Sequence, residues 1–244
     1  MITYHQSLKQ TARAMASARI GGVSSLLDPR DSVDRVKMFI EGNYEKRIEK
    51  LLSQAALLED VVEYLEDRVI AYVQELPLAA YDTGCTDGDR FLQWLATCGD
   101  LTDEQMDHLV CQRARLQLED IARANRLGHV RFQELWSLKD KLLPQFNATS
   151  SLIVHVNPIR CRTVFRTTAL LDEEDITPAN VVVFACRNNM RTAVIEAEGI
   201  AICETLQSSP LAISQLIEVS PQLAAEDIVD VVQESVEMGL MALG

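Results

Sequence analysis

From Val33 to Leu143 apolar residues recur at three- and four-residue intervals, the spacing that gathers side chains on one face of an α-helix. One helix is predicted through Val33, Val36, Ile40, Tyr44, Ile48 and Leu51. A second runs through Leu58, Val61, Val62, Leu65, Val69, Tyr72, Val73 and Leu76, and ends at Pro77, which has no N–H to donate. Tyr81 to Asp89 is dense in turn formers and reads as a loop, followed by a short helix from Arg90 to Cys98 closed by Gly99. Thr102 and Gln105 have the spacing of a capping box and open a helix predicted to reach Leu127, with Gly128 beyond it. A last helix, Arg131 to Leu143, stops before Pro144, and Asn147 to Ser151 is a polar connector.

Past the connector the period shortens. Leu152 to Val156, Thr163 to Ala169 and Val181 to Arg187 are β-branched runs that predict strands, with an acidic loop from Leu171 to Pro178 between the last two. Asn188-Asn189 fits a two-residue hairpin turn, since asparagine tolerates positive φ, and leads into a strand from Arg191 to Ile195. Three helices should follow, at Gly199 to Gln207, Pro210 to Glu218 and Ala224 to Met241, the second started by Ser209-Pro210 as cap and first turn. The expected fold is α+β. Residues 1–150 form a helical bundle, and residues 151–244 a small winged-helix-like module of a β-hairpin and three helices.

Charge sharpens this division. The chain carries 23 basic and 36 acidic residues, a net charge of -13. Residues 151–244 contribute five arginines, no lysine and thirteen acids. No apolar stretch approaches the roughly 18 residues of a membrane span, and Met1 to Ile20 lacks the compact apolar block of a secretory signal. Six cysteines far apart in sequence, without a C-x-x-C pair, point to reduced thiols in the cytoplasm.

Winged-helix modules usually read DNA, with basic residues neutralising phosphates. Here the terminal helices carry Glu198, Glu204, Glu218, Glu226, Asp227, Asp230, Glu234 and Glu237 and nothing basic, so phosphate would meet only repulsion. An acidic transcriptional regulator is the competing reading, and its basic patch would have to come from Arg113, Arg115, Arg123, Arg126 and Arg131, which alternate with Glu119 and Asp120. The favoured reading is a peptide laid along the hairpin edge. Arg191, Thr192, Ala193, Val194 and Ile195 would supply the edge strand. Asp227, Ile228, Val231, Val232 and Glu234 would supply the facing helix, its acids favouring a basic peptide and its apolar residues receiving side chains. Packing on the domain core is the plainer account of those apolar positions.

Catalytic chemistry has little purchase. Glu104, His108 and Cys111 share a helix face without a recognised metal spacing, Cys85 sits in the turn-rich loop without a neighbouring histidine, and Glu59-Asp60 and Glu66-Asp67 fit the wet side of one helix. No nucleophile elbow, phosphate loop or dinucleotide fingerprint is present.

The stretch from Arg35 through Gly42-Asn43-Tyr44 to Leu51, the strand Val181 to Arg187 with its Asn188-Asn189 turn, and Glu198-Gly-Ile-Ala-Ile-Cys-Glu-Thr-Leu206 together resemble a known family. It comprises the partner proteins of multinuclear non-heme iron oxidative enzymes that modify ribosomally made peptides. The family's doubled asparagine is Gly42-Asn43 here, and the Phe-Pro that often follows it is missing. The resemblance implies an enzyme-docking helical domain and a C-terminal peptide-recognition module. It also implies that iron and oxygen chemistry belong to a companion TIM-barrel enzyme. This chain would hold no metal or cofactor, have no catalytic residue of its own, and pair with that enzyme and a precursor peptide, often one with a reactive cysteine, without nucleic acid or membrane.

Overall fold

The computed structural model describes residues 6, 9, 12–13, 33–81, 84–171, 177–187 and 189–244. Among them the chain divides by internal contacts into two compact units, Met1–Arg113 and Ala114–Gly244. The change of charge near residue 150 coincides instead with the passage from helix to strand.

The first unit is helical, with α1 Val33–Gln54, α2 Leu65–Glu75, α3 Asp87–Thr97 and the start of α4, Asp103–Ala124. Leu58, Val62 and Leu65 are all buried, yet α2 begins only at Leu65, after a single 3-10 turn at Ala56–Leu58 and a left-handed Tyr64 at φ 54°. Four- and three-residue spacing buries the same side chains in a helix or in successive turns, so the hydrophobic pattern alone does not distinguish them. The short third helix begins at Asp87 rather than Arg90, because the Thr86 hydroxyl accepts the Asp89 N–H at 3.2 Å and caps it. Gly99 stands just past its end at φ 77°. The capping box at α4 forms as read, with Thr102 N–H to Gln105 Oε1 at 2.9 Å and Gln105 N–H to Thr102 Oγ1 at 3.2 Å.

Asn125, not Gly128, ends α4. Its side-chain amide donates to the Ile121 carbonyl at 3.2 Å, offering the backbone an alternative to the next helical turn. Gly128 lies inside α5, Arg126–Trp136, which precedes a four-residue α6, Lys139–Leu142.

The second unit is α+β, with a hairpin followed by three helices. Strands β2 Arg160–Phe165, β3 Ala179–Cys186 and β4 Asn189–Val194 form an antiparallel sheet in the order β2-β3-β4. Cys186 pairs with Asn189, so the connecting residues are Arg187 and Asn188, one position earlier than expected; the positive φ falls on Arg187 at 55°. Asn188 and residues 172–176 of the acidic run lie outside the described residues. Helix α7 Ala197–Ser208 follows as read.

Two further corrections have one cause. Leu211–Ala212 is not the start of a helix but strand β5, leaving α8 to Ile213–Val219. The final helix α9, Ala225–Met238, ends at Gly239 with φ 93°, and Met241–Leu243 is strand β6. Both strands pair with β1, Ile153–Val156, in a second antiparallel sheet of order β5-β1-β6. Their short apolar sequences carry no period of their own. A Cβ at Gly239 would stand 2.6 Å from Cys186 Sγ, so this position requires glycine both for φ and for the close approach.

Asn157 joins the two sheets. It is fully buried; its amide donates to the carbonyls of Ala185 (2.7 Å) and Gly239 (3.1 Å), and its Oδ1 accepts the Ile159 N–H at 2.9 Å. Val182, Phe184 and Cys186 face a core shared with Trp136, Ile202, Ile228, Val232 and Val236; Val183 and Ala185 face Ala114, Leu118 and Ile159. Burying each such aliphatic or aromatic side chain contributes about 1.5–3 kcal/mol.

Candidate functional site

Strand β4 is an edge of its sheet. Ile195 N–H donates to the Asn180 carbonyl at 2.9 Å, and in an antiparallel ladder hydrogen-bonded and non-bonded pairs alternate. Residues 191, 193 and 195 therefore turn their backbone groups toward β3. Met190, Thr192 and Val194 turn theirs outward, where an edge strand offers donors and acceptors to another chain. Arg191 and Thr192 are exposed, and Ala193, Val194 and Ile195 half-buried.

Helix α9 meets this strand at its C-terminal end. Arg191 Nη1 donates to the Met238 carbonyl at 2.9 Å at the helix C-terminus. Toward its other end, Ile195 and Val231 both lie against Gly199: a Cβ there would meet Ile195 Cγ1 at 2.8 Å and Val231 Cγ1 at 3.7 Å, so glycine lets α7 close on both. Of the helix residues expected in the groove, Asp227 and Glu234 are exposed and Val231 half-buried. Ile228 and Val232 are 0% exposed and belong to the core, where no incoming side chain reaches them. Their helical spacing marked an apolar face correctly, and that face points inward.

Sequence reasoning missed how α9 is held. The helix has no basic residue in its last turn, and its terminal carbonyls are satisfied from elsewhere. Trp136 Nε1 donates to Val236 O at 2.7 Å, Lys139 Nζ to Glu237 O at 3.4 Å and Arg191 to Met238 O. Lys139 and Arg187 also lie over the Trp136 ring, 5.2 and 5.1 Å from its centroid. Cations placed at a helix C-terminus complement its dipole. Trp136, one of two tryptophans in an aromatic-poor chain, with Lys139 three residues on, was the available signal.

The other singled-out residues behave passively. Burial and the Asp89 carboxylate, which accepts the Cys85 thiol at 2.8 Å, push that thiol up to about 11, so it stays protonated and unreactive at neutral pH. His108 Nδ1 is 3.0 Å from the Glu104 backbone carbonyl, not its carboxylate, and Cys111 is buried. Among the described residues no group of three or more histidine, cysteine or acidic side chains is placed to hold a metal ion. Of the arginines, Arg123 pairs with Asp120 (3.1 Å) and Glu119 (3.8 Å), and Arg113 with Asp89 (2.8 Å). No described helix is long and apolar enough to cross a membrane.

Set against known proteins, the chain matches no family model and no curated sequence.

Proposed function

We propose that this chain is the non-catalytic partner subunit of a TIM-barrel multinuclear non-heme iron oxygenase, which binds a ribosomally made precursor peptide and presents it for modification, often at cysteine. The observation that carries this reading is the outward-facing backbone of Met190, Thr192 and Val194, on a strand whose Arg191 reaches the end of an acidic helix. A peptide added to β4 in extended form completes those hydrogen bonds, and Asp227 and Glu234 attract its basic residues. Half-buried Val194 on one face of the strand, and Ile195 with Val231 on the other, supply the apolar part of the contact; Ile228 and Val232 support it from within. Iron chemistry belongs to the companion enzyme. With no disulfide formed among the described residues, the complex suits the reducing cytoplasm.

Backbone geometry supplies the test. Thr192→Pro removes an N–H that points away from β3, a change tolerated at a sheet edge, whereas Ala193→Pro removes one that bonds β3. Titrated with a synthetic extended peptide that carries lysines and a cysteine, the Thr192→Pro protein should lose at least about tenfold in affinity while melting like the parent, since one backbone hydrogen bond and the fit of a strand are lost together. Unchanged affinity in the folded variant removes the β4 edge from the binding site. Tight, salt-sensitive association of the chain with duplex DNA would replace this reading by the regulatory one.

A further inference from the structure

The opposite edge of the same sheet holds a cavity of about 550 Å³ between β2 and α7, lined by Arg160, Val182, Ile195, Ile200, Cys203 and Gln207 among others. Its size lies within the roughly 300–1,000 Å³ of small-molecule sites. Arg160, Arg162 and Val164 alternate along β2 with Cys161, Thr163 and Phe165, so both arginines stand on the face that carries Val182 and turns toward α7.

The two arginines differ in their partners. Arg162, exposed at the mouth, faces Glu204 with Nη1 3.4 Å from Oε1. Arg160 is half-buried, and Nη1 donates to the Asn157 carbonyl at 2.7 Å, which fixes the guanidinium and leaves its other nitrogens directed elsewhere. Among the described residues no carboxylate pairs with it, although residues 151–244 carry thirteen acids against five arginines. Its neighbour in this wall is the buried Cys203 thiol, which burial pushes up and keeps neutral, and desolvation pulls the guanidinium below its ordinary value. A half-buried cation with no carboxylate partner keeps donors that a bound anion can take up.

We propose that this cavity is a binding site for a carboxylate on an apolar body, the guanidinium of Arg160 taking the carboxylate and Val182, Ile195 and Ile200 enclosing the body. One arginine matches a monoanion; phosphate groups call for several donors or cations, and Arg162 is already engaged by Glu204. The aliphatic residues of the lining favour a ligand with an apolar part. The carboxylate comes from a small free acid or from the C-terminus of a peptide, and both present the same chemistry to Arg160. Ile195 is shared with the proposed peptide contact, but the carboxylate site rests on Arg160 of β2 and stands whether or not a peptide adds to β4.

The test uses the full chain, calorimetric titration and four probes: octanoate, octanol, and N-acetyl-dileucine as free acid and as amide. Octanoate should bind saturably, with affinity falling about tenfold or more in Arg160→Gln and little in Arg162→Gln, as expected for loss of one charge-assisted contact. Octanol should bind weakly and alike in all three proteins. Arg160-dependent binding of N-acetyl-dileucine acid but not its amide identifies a peptide terminus as the source; binding of octanoate alone identifies a free acid. Absence of saturable binding by either acid, or equal affinity in a folded Arg160→Gln protein, overturns the proposal. Should Arg160→Gln not fold, the parent protein decides: octanoate must slow alkylation of Cys203 but not of exposed Cys98, mapped by mass spectrometry, and an unchanged rate at Cys203 overturns the site.

Discussion

The two compact units place their polar side chains in opposite ways. In the first, Arg47 from α1 reaches Asp87 at the start of α3 through two hydrogen bonds of 2.8 and 2.9 Å, and also meets the carbonyls of Leu76 and Pro77. The Tyr72 hydroxyl donates to the same carboxylate at 2.9 Å, and Asp89 nearby is held by Arg113, Cys85 and Gln93. In the second unit the interior around β3 and α9 is apolar apart from the matched groups of Asn157 and Trp136, and polar groups with spare capacity lie at the two sheet edges: the β4 backbone and the Arg160 guanidinium. A network whose donors and acceptors are matched holds a fold together. Groups left unmatched at an edge are where a partner or ligand gains its free energy, and this contrast separates structural charge from candidate function.

The largest expected effect tests the apolar half of the contrast. Val232→Arg puts a charge among Val182, Ile202 and Val236 with no partner, and should cost more than about 4 kcal/mol in denaturant unfolding of the second unit. Val194→Arg, on the half-buried edge strand, should cost under about 1 kcal/mol while lowering peptide affinity. Equal losses would mean that β4 is as much core as α9. Next comes Asp87→Asn, which leaves Arg47 without its counter-charge at a site where both side chains are 9% exposed; about 3 kcal/mol should be lost, measured by the same unfolding titration.

What was legible in the sequence follows the same line between local and distant causes. The Thr102–Gln105 capping box and the break at Gly99 are set by neighbours a few residues away, and both are present where the pattern placed them. Strands β5 and β6 exist only because Val154 lies between Leu211 and Leu243, a pairing no local period announces; Gly239, just before an apolar run, was the one clue that α9 stops early. The edge strand β4 was readable from β-branched residues and a turn. Its helix was readable as amphipathic, but periodicity could not say that Ile228 and Val232 face inward. Arg160 had no signal beyond the alternation Arg160-Cys161-Arg162, because its cavity depends on α7 returning to the β2 edge.

A smaller, pH-dependent effect belongs to Asp89. Burial alone would raise its carboxyl; the hydrogen bonds from Arg113, Cys85 and Gln93, with the charge of Arg113, outweigh that and hold it below the ordinary 3.8. The unfolded chain then binds more protons at low pH, so the stabilisation is present above about pH 4 and is lost as pH falls through the lower folded value. Asp89→Asn should cost about 2 kcal/mol at neutral pH and flatten the acid limb of the stability profile. An unchanged limb would show that this network does not bear on folding.

The smallest effect is the most discriminating, because it removes the same residue type that the first unit cannot spare. Arg160→Gln gives up one hydrogen bond to the Asn157 carbonyl, a loss of roughly 1 kcal/mol, and at the same time relieves the desolvation of a cation that has no described counter-charge. These terms oppose each other, and the net change in unfolding free energy should stay within about 0.5 kcal/mol. Saturating octanoate should then raise the midpoint of the parent protein and not of the variant, since a ligand stabilises only the state that binds it. A loss of 2 kcal/mol or more, on the scale of the buried hydrogen bonds of charged groups, would place Arg160 beside Arg47 as a structural cation, and the difference between the two units would then be one of burial rather than of purpose.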